Sequence, residues 1–221
     1  MENLKHQKLV RSYCAYLNQS EFTERYLFIK RRVAHGLTRE EFAFLLGRVP
    51  FFIIDYEELA TIKFDLVDVD LMNIILKSYQ DYDLSLDRRD GIYDISNEKR
   101  LVRVVRSEYI ENIVYEFHHP WKINGENKLL KIIEPVVYSD SMGLETEVVK
   151  LIVAKLTKLM ELGYFKTKRF PLEIRDRIWE AYKYKSNAWP VILLKNIIYE
   201  WIRQSKLTVR LNNDHFVYEA I

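Results

Sequence analysis

The sequence is poor in cysteine, glycine and proline. Its 221 residues include a single cysteine, Cys14, with only 6 glycines and 5 prolines. One thiol cannot form a disulfide within the chain or a zinc site built from cysteines, and it is typical of a protein from a reducing compartment. The scarcity of glycine and proline argues against an all-β protein rich in tight turns and favours helices.

Long apolar runs are also missing. No stretch approaches the roughly 20 apolar residues that a membrane-spanning helix needs. The first residues, Met1 to His6, are polar and do not lead into a signal-peptide core. We therefore expect a cytoplasmic protein that is neither secreted nor inserted in a membrane.

Motifs for catalysis or cofactor binding are lacking as well. The glycines are too few and too scattered for a phosphate-binding loop. His118 and His119 are adjacent on a predicted strand, so they should point to opposite faces and cannot easily share a metal. Cys14 lies on a predicted helix rich in Tyr and Leu, where a packed thiol is expected. We predict that the protein is not an enzyme and needs no metal or organic cofactor.

What the chain does contain is typical of a folded globular protein: 48% hydrophobic, 14% aromatic and 30% charged residues. The net charge of +2 is unevenly spread, because residues 1–49 carry +4, residues 50–100 carry −6, residues 101–149 carry −3 and residues 150–221 carry +7. Two basic ends thus flank an acidic middle. Basic ends attract phosphate backbones, but lysines also solvate helix faces, and both interpretations stay open.

Helical spacing of apolar residues dominates the first 80 positions. It predicts helices over 7–18, from a Thr23 cap to a stop at Gly36, over 38–46, over 50–59 and over 67–79. Thr38 and Glu41 have the spacing of a capping box. Residues 81–98 are polar and turn-forming, which indicates a linker.

The middle of the chain changes to an alternating pattern. Residues 101–106, 109–118 and 128–137 are predicted strands, and Asn124-Gly125 is a hairpin turn dipeptide. The last third is helical again, with helices predicted over 145–162, from Pro171 and from Pro190 to about Gln204. A terminal hairpin follows over 207–211 and 216–218.

The predicted fold is therefore mainly α with a small antiparallel β part. We assign residues 1–80 to a helical domain, 81–98 to a linker, 99–138 to a small antiparallel β segment and 139–221 to a C-terminal domain.

One segment carries a family resemblance. From Gly36 to Gly47 the sequence GLTREEFAFLLG resembles the first half of a phage-repressor or Cro-type helix-turn-helix. That family has a capping Ser or Thr, two polar residues, a hydrophobe-Ala pair and a turn glycine at this spacing. Ile53 and Glu57 extend the match beyond the turn. The resemblance covers roughly 50 residues and implies a helix-turn-helix scaffold.

The second half of the motif departs from that family. Base-reading helices need hydrogen-bonding side chains at their start, whereas this chain has Val49, Pro50, Phe51, Phe52 and Ile54 there. These apolar residues either pack within the chain or form a face for a partner. We expect at least one of the two phenylalanine rings to be mostly buried. Arg39 and Arg48 remain candidates for phosphate contacts.

The C-terminal domain resembles a winged helix in the order of its predicted elements. Its last helix places Lys195, Tyr199 and Arg203 at four-residue spacing, which predicts a solvent-facing stripe bordered by Asn196. The flanking candidates for phosphate contact are Lys168, Arg169 and Arg210.

Two functions fit these patterns. The first is a helix-turn-helix transcription regulator that binds double-stranded DNA. The second is a non-catalytic adaptor, built on helix-turn-helix modules that no longer read bases, which binds another protein or a second copy of itself. Neither function involves a membrane.

Overall fold

The computed structural model describes residues 9–77, 97–123, 126–136, 142–180 and 191–221. The helices in this part of the chain are α1 (Gln19–Ala34), α2 (Arg39–Leu46), α3 (Phe51–Glu57), α4 (Leu66–Lys77), α5 (Met142–Glu161), α6 (Pro171–Trp179) and α7 (Val191–Arg203). The strands are β1 (Leu9–Leu17), β2 (Arg100–Glu108), β3 (Asn112–His118), β4 (Leu130–Pro135), β5 (Leu207–Asn212) and β6 (His215–Ala220). The fold is thus a mixture of helices and antiparallel strands, as predicted in coarse terms.

The chain forms two compact units, each assembled from separate segments. The unit that we call the sheet unit comprises Met1–Gly36, Ile54–Phe64 and Leu76–Tyr138. The unit that we call the hairpin unit comprises Leu37–Ile53, Asp65–Ile75 and Ser139–Ile221. This grouping differs from the linear one drawn from the sequence, whose boundaries stay a prediction.

The sheet unit is built on a four-stranded antiparallel sheet in the order β1-β2-β3-β4. One face carries the buried side chains of Val102, Val104, Tyr115 and Phe117. Helix α1 packs on this face through Phe22, whose ring lies 6.4 Å from that of Phe117. The alternation of buried and exposed residues along β2 and β3 follows from the period of two in an extended chain.

The prediction of a helix over residues 7–18 is wrong, because this segment is strand β1. It pairs antiparallel with β2 along its whole length, from Leu9 opposite Glu108 to Leu17 opposite Arg100. The apolar spacing of the segment is compatible with either structure. Its Val and Tyr residues favour strands, and pairing with a distant strand decides between the two.

The start of α1 was also predicted wrongly. Asn18, not Thr23, caps the helix: its side chain accepts from the Glu21 backbone N–H, and Glu21 accepts from the Asn18 N–H. Thr23 lies inside the helix and donates its hydroxyl to the Gln19 carbonyl. With the preceding segment extended, the cap lies five residues earlier than the predicted cap at Thr23.

The sheet is larger than the three-stranded β segment that the sequence predicts, because β1 adds a fourth strand. The predicted strands in the middle are confirmed as β2, β3 and β4. Asn124-Gly125 lies outside the described residues, but its neighbours Ile123 and Glu126 form an antiparallel bridge. The predicted linker is described only from residue 97, and the predicted turn and proline at 186–190 fall outside the described residues.

Helix α2 begins and ends as predicted. Thr38 and Glu41 form a reciprocal capping box, and Gly47 ends the helix in the left-handed conformation with φ of 69°. Gly47 also meets the terminal hairpin, because the Phe216 N–H donates to its carbonyl at 2.6 Å. The turn of the predicted helix-turn-helix is therefore a packing point inside the hairpin unit.

The hairpin unit ends in β5 and β6, joined by a two-residue turn. Asn213 and Asp214 both have positive φ, 48° and 62°, as a type I′ turn requires. Arg169 forms a backbone bridge with Tyr218 of β6. Helix α2 contacts α6 and α7, and α5 contacts α7.

Candidate functional site

The apolar start of α3 is only partly covered. Phe51 is 67% exposed and Val49 is 48% exposed. Phe52 is half-buried, and the Arg48 guanidinium lies over its ring at 4.9 Å. The expectation that at least one of the two rings is mostly buried is therefore met by Phe52, whereas Phe51 is exposed.

Helix α3 has one buried side and one exposed side. Ile53 is fully buried, as the family resemblance implies, and Ile54 is half-buried. A short helix buries one stripe of side chains and leaves the opposite stripe outside. Phe51 is on the outer stripe, where the resembling family places residues that face DNA.

Arg48 follows the turn glycine and is engaged within the chain. Its guanidinium pairs with Asp68 at 2.7 Å and Asp65 at 2.5 Å, and donates to the Asp214 carbonyl at 2.9 Å. Burial lowers the pKa of Arg48, but the two carboxylates more than reverse this and raise it. Most of the donors of Arg48 are thus used within the chain, and its contact with phosphate stays a prediction.

Asp65 and Asp68 form the N-terminal cap of α4. The Asp65 N–H donates to Asp68 at 3.0 Å, and the Asp68 N–H donates to Asp65 at 2.7 Å. Burial raises the pKa of Asp65, but hydrogen bonding to the Asp68 backbone and the nearby Arg48 charge bring it below its ordinary value. The two carboxylates thus cap the helix and pair with Arg48 at the same time.

His215 is fully buried and completes this cluster. Its Nε2 lies 3.1 Å from Asp68 Oδ1 and its Nδ1 lies 2.7 Å from the Asn213 carbonyl. Among the described residues, ligand-type atoms of Asp65, Asp68 and His215 lie within 4.8 Å of one another, a spacing that suits a metal ion. The Arg48 guanidinium already supplies a cation to the two carboxylates. We therefore interpret the cluster as a set of polar contacts that holds the end of α2, the start of α4 and the terminal hairpin together.

A second buried ion cluster lies in the sheet unit. Arg32 of α1 is fully buried and pairs with Glu57 at 2.6 Å and Glu134 at 2.7 Å. The Tyr115 hydroxyl donates to Glu134 at 2.7 Å. Burial lowers the pKa of Arg32, but the facing carboxylates outweigh it, and the pKa lies well above its ordinary value. This cluster joins α1, the end of α3 and the sheet.

Helix α7 does not present the stripe that its sequence predicts. Lys195 is buried and pairs with Glu40 of α2, so its placement on a solvent face is wrong. Glu41 accepts a hydrogen bond from the Ile192 N–H at 3.0 Å. Two glutamates of α2 therefore cover the first turns of α7, where a recognition helix would contact bases.

The remaining predicted phosphate contacts are scattered over the hairpin unit. Arg203 and Arg210 are exposed but pair with Glu200 and Glu219. Arg169 donates to the Tyr164 carbonyl at 3.0 Å. The other candidates differ in exposure: Asn196 and Lys168 are exposed, Tyr199 is 38% exposed, and Arg39 is half-buried at the first turn of α2.

The two adjacent histidines diverge as predicted. His118 lies opposite Arg103 in the sheet, whereas the His119 ring contacts Phe22 at 4.9 Å between centroids. Burial lowers the pKa of His119. Cys14, predicted to be packed on a helix, is exposed on β1.

Comparison of the chain with protein-family models, with curated proteins and with solved structures gives no match. None of the helices that the structure describes is long and apolar enough to cross a membrane. The resemblance to phage-repressor-type proteins accordingly remains a prediction from the motif.

Proposed function

We propose that the chain is a non-catalytic protein-interaction adaptor that binds its partner through the apolar residues at the start of α3 and α4. The observation that carries this proposal is the 67% exposure of Phe51, at a position where the resembling family reads bases. We call the exposed residues Val49, Phe51, Leu66 and Val67 the apolar rim.

The apolar rim draws on two segments that an ion pair holds together. Arg48 precedes Val49, Asp65 precedes Leu66, and their side chains meet at 2.5 Å. The exposed fractions are 85% for Leu66 and 36% for Val67. Neighbouring exposed apolar side chains of this size are typical of surfaces that become covered by a partner.

The same surface is poorly suited to DNA. Phenylalanine and valine offer no donors or acceptors to base edges. Asp65 keeps 44% of its side chain exposed beside the rim, and Asp70 is exposed one turn into α4. These carboxylates repel phosphate and favour basic groups on a partner. The surface therefore fits a protein segment that carries apolar side chains next to Lys or Arg.

A selection from a phage-displayed peptide library, with the full chain as bait, tests this function. We expect enriched peptides to combine apolar and basic residues. By calorimetry, a synthesised peptide should bind Phe51→Asp at least tenfold more weakly than the unsubstituted chain, about 1.4 kcal/mol or more. The matched control is Tyr199→Ala, a half-exposed aromatic on α7, which should bind normally. Equal binding to all three proteins would refute the adaptor proposal.

One observation favours a second candidate function, a DNA-binding regulator. The backbone bridge between Arg169 and Tyr218 adds a third extended segment to β5 and β6. The described elements α5, α6, α7, β5 and β6, with the bridged residue Arg169 between α5 and α6, have an order similar to that of a winged helix. This order supports the candidate, in which β5 and β6 would form the wing. In this candidate the wing and the exposed end of α7 would contact phosphates, since the start of α7 is covered.

Salt-dependent binding of a random-sequence duplex, followed by fluorescence anisotropy, tests the second candidate. Removing Arg203 and Arg210 by substitution with Ala should weaken binding and reduce the slope of log K against log salt by about 2 units. The control removes two exposed lysines of α5, Lys150 and Lys158, with the same change in net charge. An equal loss in both variants would indicate non-specific attraction and contradict a wing-based interface.

A further inference from the structure

The two edges of the four-stranded sheet differ in how well they are protected. Within the part of the chain that the structure describes, β1 and β4 are the edge strands. An edge strand presents unpaired backbone donors and acceptors, which folded proteins usually guard with charges, proline or short length.

Strand β4 carries such protection. It has six residues and ends in Pro135, which has no backbone N–H. Lys131 projects into solvent and pairs with Glu116 at 2.6 Å. Glu134 is held by Arg32 and Tyr115. A second strand could add to this edge only over a short distance.

Strand β1 has almost none of the features that protect an edge strand. It is nine residues long, contains no proline and carries a single charge, at Arg11. Val10 is 48% exposed and Tyr16 is 67% exposed, and of the residues between them only Tyr13 and Ala15 are half-buried. Such a long, nearly uncharged edge favours the addition of another strand.

We propose that β1 pairs antiparallel with β1 of a second copy of this chain, around a two-fold axis at Tyr13. Leu9 then lies opposite the partner's Leu17, so the pairing uses the whole strand. Opposed residues in this register have the same parity, and their side chains therefore lie on the same face of the joined sheet. The two four-stranded sheets become one antiparallel sheet with β4 at each outer edge.

Side chains that face each other across the proposed β1–β1 pair are compatible in this register. Val10 faces the partner's Tyr16, a β-branched and aromatic pair of the kind that stabilises adjacent strands. Ser12 faces the partner's Cys14, and Tyr13 faces itself. Arg11 faces the partner's Ala15, so no like charges are opposed. The self-complementary sequence is what selects a second copy over an unrelated strand.

Charge substitutions at Ser12 and Cys14 test the pairing and its register. In Ser12→Lys/Cys14→Lys each new lysine lies opposite a lysine of the partner, and we expect a monomer. In Ser12→Glu/Cys14→Lys each glutamate lies opposite a lysine, and we expect the dimer to persist. Sedimentation velocity over about two decades of concentration, under reducing conditions, gives the mass.

The native Cys14 provides an independent readout. The two Cys14 residues are diagonal neighbours in the proposed register, with Cα atoms about 7–8 Å apart. A nitroxide attached there should show dipolar broadening that disappears on dilution with unlabelled chain. Circular dichroism confirms that each variant is folded.

The expected result is twice the monomer mass for the unsubstituted chain and the Glu/Lys variant, with a monomer for the Lys/Lys variant. A monomeric unsubstituted chain would overturn the proposal. A dimer of the Lys/Lys variant would place the interface elsewhere, and loss of the dimer in both variants would overturn the register.

Discussion

Substitution of Arg32 by Ala is expected to lower the free energy of unfolding of the sheet unit by about 3–5 kcal/mol. The guanidinium is fully buried and is the cation shared by Glu57 and Glu134. Its removal takes the Arg32 guanidinium away from Glu57, whose side chain has no exposed surface. Urea denaturation, combined with hydrogen exchange of the β3 amides, measures the loss in this unit.

The matched control is Arg100→Ala, on β2 of the same unit. Arg100 pairs with Glu98, but both side chains are well exposed. Exposed pairs contribute about 0–1 kcal/mol. A loss in Arg32→Ala no larger than that in Arg100→Ala would contradict the stabilising role given to the buried cluster.

Gly47→Ala is expected to destabilise the hairpin unit by about 2–5 kcal/mol, as the sum of two penalties. The residue has φ of 69°, which an L side chain adopts reluctantly. A Cβ at this position would also lie 2.7 Å from the Phe216 carbonyl oxygen. Since backbone atoms cannot rotate away, β6 must shift and the hydrogen bond from Phe216 to Gly47 is strained.

Gly36→Ala separates the two penalties. Gly36 has nearly the same φ, 65°, but nothing lies within 4 Å of the added Cβ. The Gly36→Ala substitution should lower the free energy of unfolding only by the conformational penalty, about 1–2 kcal/mol. Thermal unfolding of both variants gives the comparison. Equal losses of stability in the two variants would show that the close contact between β6 and Gly47 adds nothing to the cost of Gly47→Ala.

The elements that the sequence predicts correctly are those with local signals. The Thr38–Glu41 capping box, the left-handed Gly47 and the proline at the start of α6 each act within a few residues. Strand β1 was predicted wrongly because its conformation depends on β2, whose residues lie about 90 positions further along the chain. Helical spacing in so short a segment does not exclude a strand.

The candidate sites were harder to predict for the same reason. Four-residue spacing places Lys195 and Tyr199 on one side of α7, but it does not tell which neighbour covers that side. The cluster around Asp68 includes a contact with His215, which lies 147 positions further along the chain. The spacing of Asp65 and Asp68 is that of a capping pattern, which the sequence prediction of a helix over 67–79 missed, and nothing local links these residues to His215.

The assembly of the hairpin unit has a consequence for synthesis on the ribosome. Arg48 and its acceptor Asp214 are 166 residues apart, yet both belong to this unit. The turn after α2 emerges long before the strand that packs on Gly47, so this region stays incomplete while most of the chain is being translated. Contacts between such distant segments slow folding. Apolar residues that stay exposed around Gly47 until β6 has been translated favour aggregation or chaperone binding. Translation of the final hairpin is thus the step that lets the predicted helix-turn-helix acquire its native packing.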